Sequence, residues 1–174
     1  MIRALFGSAA RDRRRRGAQG ERLGGYTYGT IIVLATIVGG AQAYKHGAGH
    51  IAILVVVTTV VFWLAHVYSD ALADSLTKGE RISWAELREI AVRESSIIEA
   101  AVTPVLLLML AKTGLYSVHT GAWLAFAAGL LVLVAEGFAF ARAERLGALA
   151  TIAIVGANLA LGLALVVLKL WVSH

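Results

Sequence analysis

Apolar residues run through the chain in long blocks, broken by short polar stretches. Five blocks are long enough to matter: 25–44, 51–74, 95–112, 122–141 and 147–170. A helix needs ~20 apolar residues to cross the ~30 Å hydrocarbon layer of a bilayer. The pattern therefore predicts five membrane-spanning helices. The connectors at Lys45–His50, Lys112–Gly121 and Arg142–Leu146 are short, which predicts antiparallel neighbours. Only the connector from Thr77 to Glu94 is longer.

That longer connector carries its own signal. Ser83-Trp84-Ala85-Glu86 has the spacing of a capping box, in which hydroxyl and carboxylate satisfy free N–H groups at a helix start. Trp84, Leu87, Ile90 and Ala91 fall on one face, and Glu89 and Arg93 are spaced to pair four residues apart. An amphipathic helix along the membrane surface is expected, running into the third span. Pro104 interrupts that span and predicts a kink, because it removes a backbone donor and frees the Ala100 carbonyl.

Composition supports the membrane reading. Of 174 residues, 59% are apolar and only 16% charged, whereas a soluble domain is nearer ~25% charged. The expected fold is an all-α bundle of five transmembrane helices with a short amphipathic interfacial helix. Residues 1–24 form a basic, mobile cytoplasmic tail, and 25–174 form the membrane domain, with the amphipathic segment at about 77–94. The absence of cysteine removes disulfides, thiolate metal sites and thiol catalysis.

Charge sets the orientation. With the N-terminus inside, thirteen Lys and Arg residues fall on cytoplasmic segments, including the run from Arg11 to Arg16, and only Lys45, Lys112 and Lys169 fall outside. The excess predicts N-in and C-out, in a multi-pass protein of a bacterial plasma membrane. The formal charge of +5 reads as membrane orientation and not as nucleic-acid binding. The basic tail leaves room for cytoplasmic contacts. The expected partners are the lipid bilayer and a second copy of the chain, because five short spans enclose little space.

Candidate chemistry lies in the polar residues within the apolar blocks. An Asp at mid-bilayer costs ~2.5–3.5 kcal/mol on insertion scales, so such groups tend to face the bundle interior and serve a purpose. His66, Asp70 and Asp74 recur every four residues along one stripe of the second span, with Ser69 beside them. Glu99 lies in the third span with Ser95 and Thr103 on its face, Glu136 in the fourth and Asn158 in the fifth. At 1.5 Å per residue, His66 lies roughly 22 Å below Ile51, and Glu136, entering from about Gly121, reaches a similar depth. His66, Asp70, Asp74, Glu99 and Glu136 are thus candidate ligands for a divalent cation that accepts mixed oxygen and nitrogen donors. The same residue types serve a proton relay. A structural alternative pairs Asp70 and Asp74 with Lys78 or Arg81, and Glu136 with His66. His46 and His50 on a predicted outer loop are a weaker metal candidate.

Small residues repeat at helical spacing: Gly25 with Gly29, and Gly156, Ala160 and Ala164. They predict close helix approach. No nucleophile–base pair, H-E-x-x-H motif or Gly-rich phosphate loop is present, so an enzyme is not expected.

The layout resembles the vacuolar iron transporter family. The resemblance is carried by Gly29-Thr30-Ile31-Ile32-Val33-Leu34-Ala35 in the first span and by Ser69-Asp70-Ala71-Leu72-Ala73-Asp74 at the end of the second. A fourth span ending in Arg142 and Arg145, before a Gly- and Ala-rich fifth, adds to it. It implies a five-span transporter of iron- or manganese-like cations that works as a homodimer. The chain departs from that family in having no acidic residue in its first span and methionine only at Met1 and Met109. The family's acidic insertion is reduced here to about 77–94. An accessory membrane protein that binds another protein without transporting is the alternative.

Overall fold

The computed structural model describes residues 2–43 and 47–172. Six helices follow one another: α1 (Ile2–Ala43), α2 (Ala48–Lys78), α3 (Trp84–Arg93), α4 (Ser96–Lys112), α5 (Val118–Ala143) and α6 (Ala148–Val172). No strand occurs among the described residues. Five of the helices take up the five apolar blocks, and the sixth is the amphipathic segment. The first helix starts at Ile2, so the basic segment expected as a mobile tail is continuous with the first apolar block.

Three helical stretches are long and apolar enough to cross a membrane: Gly20–Ala43, Ala48–Lys78 and Val118–Ala143. A fourth is reached if α3 and α4, bent by 46° at their junction, count as one broken span. That bend lies at Glu94 and Ser95. The helix is continuous through Pro104, which is buried. The change of direction thus falls in the polar stretch at Glu94 and Ser95, about three turns before the proline.

α4 stands at the centre, packed against α1, α2 and α5, while α6 lies outside against α5 and α1. One apolar core joins Val33 and Ile37 of α1, Ile51 and Val55 of α2, Ala101 and Leu108 of α4, and Ala122 and Ala125 of α5. A second joins Leu34 of α1 to Phe126 and Leu133 of α5. The outer faces stay apolar: Ile53, Val57, Val61 and Leu64 on α2, Leu131 on α5 and Ile152 on α6 are all exposed. A water-soluble protein would hide such a surface, and a bilayer accepts it.

The α1–α4 contact depends on glycine. A Cβ on Gly29 would stand 2.7 Å from the Ile97 carbonyl oxygen and 2.9 Å from its Cα, and one on Gly25 would overlap the Ser96 hydroxyl. These two glycines are helix contacts, as their spacing predicts. Gly156, Ala160 and Ala164 behave differently. They are exposed on α6, and nothing lies within 4 Å of a Cβ built at Gly156.

Candidate functional site

Glu136 of α5 is buried, at 7% relative exposure. Leu133 and Gly137 beside it on α5 are buried too. One carboxyl oxygen, Oε2, lies 2.8 Å from the Thr27 hydroxyl of α1. The other, Oε1, has no hydrogen-bond partner. Among the described residues no Lys, Arg or His pairs with it. Beside it, the Asn158 amide of α6 donates to the Leu133 carbonyl at 3.1 Å. The place is therefore the junction of α1, α5 and α6.

The Thr27 hydroxyl has two oxygen neighbours and one proton. It lies 3.0 Å from the Leu23 carbonyl one turn back, as well as 2.8 Å from Glu136. A hydroxyl supplies one donor and two acceptor sites. If Glu136 is ionised, Thr27 must donate to it, and a buried charge is left with one hydrogen bond and no counter-ion. If Glu136 is neutral, its O–H donates to Thr27, and Thr27 donates to Leu23. The second arrangement fills both contacts with good geometry. It leaves only a neutral carbonyl oxygen unpaired, which costs far less than an uncompensated buried carboxylate.

The other four predicted site residues go to separate partners. Asp70 takes the Arg93 guanidinium at 2.8 Å, and Arg93 also meets Glu94 at 3.2 Å and Glu21 at 3.8 Å. Arg93 thereby ties α1, α2 and the α3–α4 junction together, in place of the expected Glu89–Arg93 pair. Asp74 lies 3.6 Å from Lys78, as the structural alternative predicts, and Lys78 also reaches Glu86 at 3.1 Å. Glu99 bridges to Arg22 of α1 at 3.2 Å and accepts from Ser95 at 2.9 Å. His66 packs its ring on Tyr28, with centroids 4.6 Å apart, and its Nδ1 lies 3.3 Å from the Phe62 carbonyl. It does not pair with Glu136.

The expected convergence is not found. Among the described residues no group of three or more His, Asp or Glu side chains is arranged to hold a metal ion. The physical reason is the central position of α4, which keeps most of α2 away from α5. His66 of α2 and Glu136 of α5, expected at one depth, lie on helices that scarcely touch. His46 lies outside the described residues, so the His46–His50 pair has no geometry to report. Four residues of this region were missed by sequence reasoning: Arg22, Tyr26, Thr27 and Tyr28. Arg22 lies just before the first apolar block and the other three in its first turn, and their polar atoms were the available signal.

The amphipathic helix is built as its sequence predicts at one end. The Ser83 hydroxyl accepts from the Glu86 backbone N–H, and the Glu86 carboxylate accepts from the Ser83 N–H at 2.9 Å. The Ser83 backbone bond, then Lys78, holds the Glu86 carboxyl down at about 2. Trp63 of α2 donates to the Ala91 carbonyl at 3.1 Å, and Ile90 is buried beneath. Trp84, expected on the same face, is instead 86% exposed. It stands at the N-terminus of α3, where an indole suits the membrane–water boundary.

No family model, curated protein or solved structure matches the chain.

Proposed function

We propose that the chain is a membrane transporter that couples its work to protons, with Glu136 as the proton-binding group. The observation that carries this reading is the half-satisfied carboxyl. Glu136 is buried, has a hydroxyl at one oxygen and nothing at the other, and has no cation beside it. A carboxyl so placed in a membrane bundle is expensive to keep and is best explained by a proton that comes and goes. The five-helix layout with N-in and C-out orientation belongs to the same proposal. It places Glu136 in the inner third of the bilayer. A divalent cation as the coupled cargo follows from the family resemblance and not from a ligand cluster, since the five acidic and imidazole groups have separate partners.

The test is proton flux into liposomes that hold a pH-sensitive dye. A potassium diffusion potential is applied, with and without external Mn²⁺ or Fe²⁺. The wild type is expected to exceed empty liposomes in at least one condition, and Glu136→Gln to fall back to the empty rate. A wild-type flux equal to that of empty liposomes under every condition overturns the proposal.

One observation favours a second reading, a self-associating or accessory protein. Gly156, Ala160 and Ala164 form an exposed small-residue face on α6, which suits a second helix better than it suits lipid. Native mass spectrometry in mild detergent is expected to show a homodimer. A monomer at all concentrations removes this reading.

A further inference from the structure

The stretch of α1 from Glu21 to Gly29 is held in two ways. At its start, Glu21 lies 3.8 Å from Arg93, and Arg22 lies 3.2 Å from Glu99. Beyond that, the helix is wedged between two neighbours. Gly25 meets Ser96 and Gly29 meets Ile97 of α4, while Thr27 holds Glu136 of α5. Among the described residues, two buried side-chain atoms have no hydrogen-bond partner, the Ser96 hydroxyl and Glu136 Oε1. Both belong to residues that this stretch covers, with Ser96 1% and Glu136 7% exposed. A buried polar atom without a partner is costly, and water would satisfy both. Two orphaned oxygens therefore oppose the closed arrangement, and two ion pairs hold it. The pairs are open to solvent, with 62% and 45% of Arg22 and Glu99 exposed, and 34% and 56% of Arg93 and Glu21. Exposed pairs are individually weak. Gly24 and Gly25 follow them directly, and a Cβ at Gly24 would meet nothing within 4 Å. Adjacent glycines are a place where a helix bends readily.

We propose that the start of the α1 span is a gate over Glu136, latched by Glu21 to Arg93 and by Arg22 to Glu99, and hinged at Gly24 and Gly25. The inference rests on the reading of Glu136 as a proton-binding carboxyl and adds how water reaches it. Arg93 stays with α2 when the gate opens, because Asp70 holds it at 2.8 Å against 3.8 Å for Glu21. α1 is therefore the element that moves. Bending at the two glycines carries Glu21 and Arg22 away and opens the inner approach to Ser96 and Glu136. Water then fills both orphaned oxygens. The pairs at the other end of α3, Lys78 with Asp74 and with Glu86, do not include α1 and take no part.

The experiment uses the full chain in lipid, which has no native cysteine. Ser96→Cys puts a thiol at the covered hydroxyl, and its rate of reaction with a small methanethiosulfonate reads the opening. Glu21→Gln combined with Arg22→Gln removes both latches and is expected to raise that rate about tenfold. Raising the ionic strength is expected to raise it with the latches intact, because exposed pairs are screened. Lys78→Gln is expected to leave it unchanged. Ala125→Cys, fully buried in the apolar core, should stay unreactive throughout. Where it reacts, the fold is lost and a cross-link decides instead. Arg22→Cys and Glu99→Cys, joined by a reducible bifunctional thiosulfonate, are expected to stop proton flux in liposomes and to restore it on reduction. A Ser96→Cys rate unmoved by loss of both latches, or a flux unmoved by complete cross-linking, overturns the gate and leaves the Glu136 reading standing. A wild-type flux equal to that of empty liposomes overturns the Glu136 reading, and the gate with it.

Discussion

The Thr27 hydroxyl and the Glu136 carboxyl meet at 2.8 Å, joining α1 to α5 across 109 residues of sequence. The bond matters because Glu136 has no other partner. Glu136→Gln keeps a group that can donate to Thr27 and accept from it, so the bundle is expected to lose no more than about 1 kcal/mol. Thr27→Val leaves the carboxyl buried with neither oxygen bonded and is expected to cost about 1–3 kcal/mol. The double variant should cost less than the two single costs added together. Thermal unfolding of all four proteins in one detergent checks this. Strict additivity would show that the two side chains do not depend on each other.

Glycine positions give a paired prediction. Gly29→Ala puts a methyl 2.7 Å from the Ile97 carbonyl oxygen, which is backbone and cannot swing away. α1 and α4 must separate, and a loss of about 1–3 kcal/mol is expected, as for other overpacked contacts. Gly156→Ala meets open space on α6. It should be neutral or add up to about 1 kcal/mol through helix propensity. Unfolding in detergent should separate the two clearly. Equal effects would argue against the close α1–α4 approach.

Much of the helical architecture could be read from the sequence, because the length of an apolar block is a one-dimensional signal. The five apolar blocks became five helices, and Ser83 with Glu86 formed the expected box. The site was not legible in the same way. Counting residues places His66 and Glu136 at one level but says nothing about rotation around each helix, or about which helix stands between them. Putting α4 in the centre gave Asp70 to Arg93 and left Glu136 to Thr27. Thr27 itself was hidden, since a lone hydroxyl in an apolar block usually bonds its own backbone, as Thr30 does with Tyr26. The small residues of α6 were read as packing by the same spacing rule that succeeded for Gly25 and Gly29, yet they face outward.

The capping box should make the docking of α3 sensitive to acid. Glu86 titrates at about 2 in the folded protein, below the 4.5 of an unperturbed Glu, because the Ser83 backbone N–H and Lys78 favour its charged form. A carboxyl whose folded value is depressed stabilises the fold above its unfolded value, and that contribution is lost as pH falls through the folded value. The window is therefore from about 4.5 down to about 2. Amide exchange in 84–93, compared between wild type and Glu86→Gln, should differ at about pH 6 and converge at about pH 2. Ser83→Ala should also weaken α3, by about 1 kcal/mol. A constant difference across the whole range would remove Glu86 as the cause.

The bend between α3 and α4 makes the membrane path of α4 the decisive point of topology. α4 has 17 residues, a rise of roughly 25 Å, slightly short of the ~30 Å hydrocarbon layer. Its ends suit a crossing: Glu99 and Arg22 pair in an exposed position near one end, and Lys112 and Thr113 are exposed at the other. If α4 crosses, Lys78 at the end of α2 and Ser117 at the start of α5 lie on opposite sides. If the bent pair dips in and returns, they lie on the same side, and α5 and α6 reverse direction as well. The chain has no cysteine, so single cysteines at these two positions report without background. Ser117→Cys is expected to react with an impermeant maleimide added outside intact cells, and Lys78→Cys only after the cells are opened. Both side chains are exposed in the fold, so a failure to react reflects the membrane and not burial. Labelling of both positions from one side would turn α4 into a re-entrant helix and place Arg142 and Arg145 outside, against the distribution of every other basic cluster.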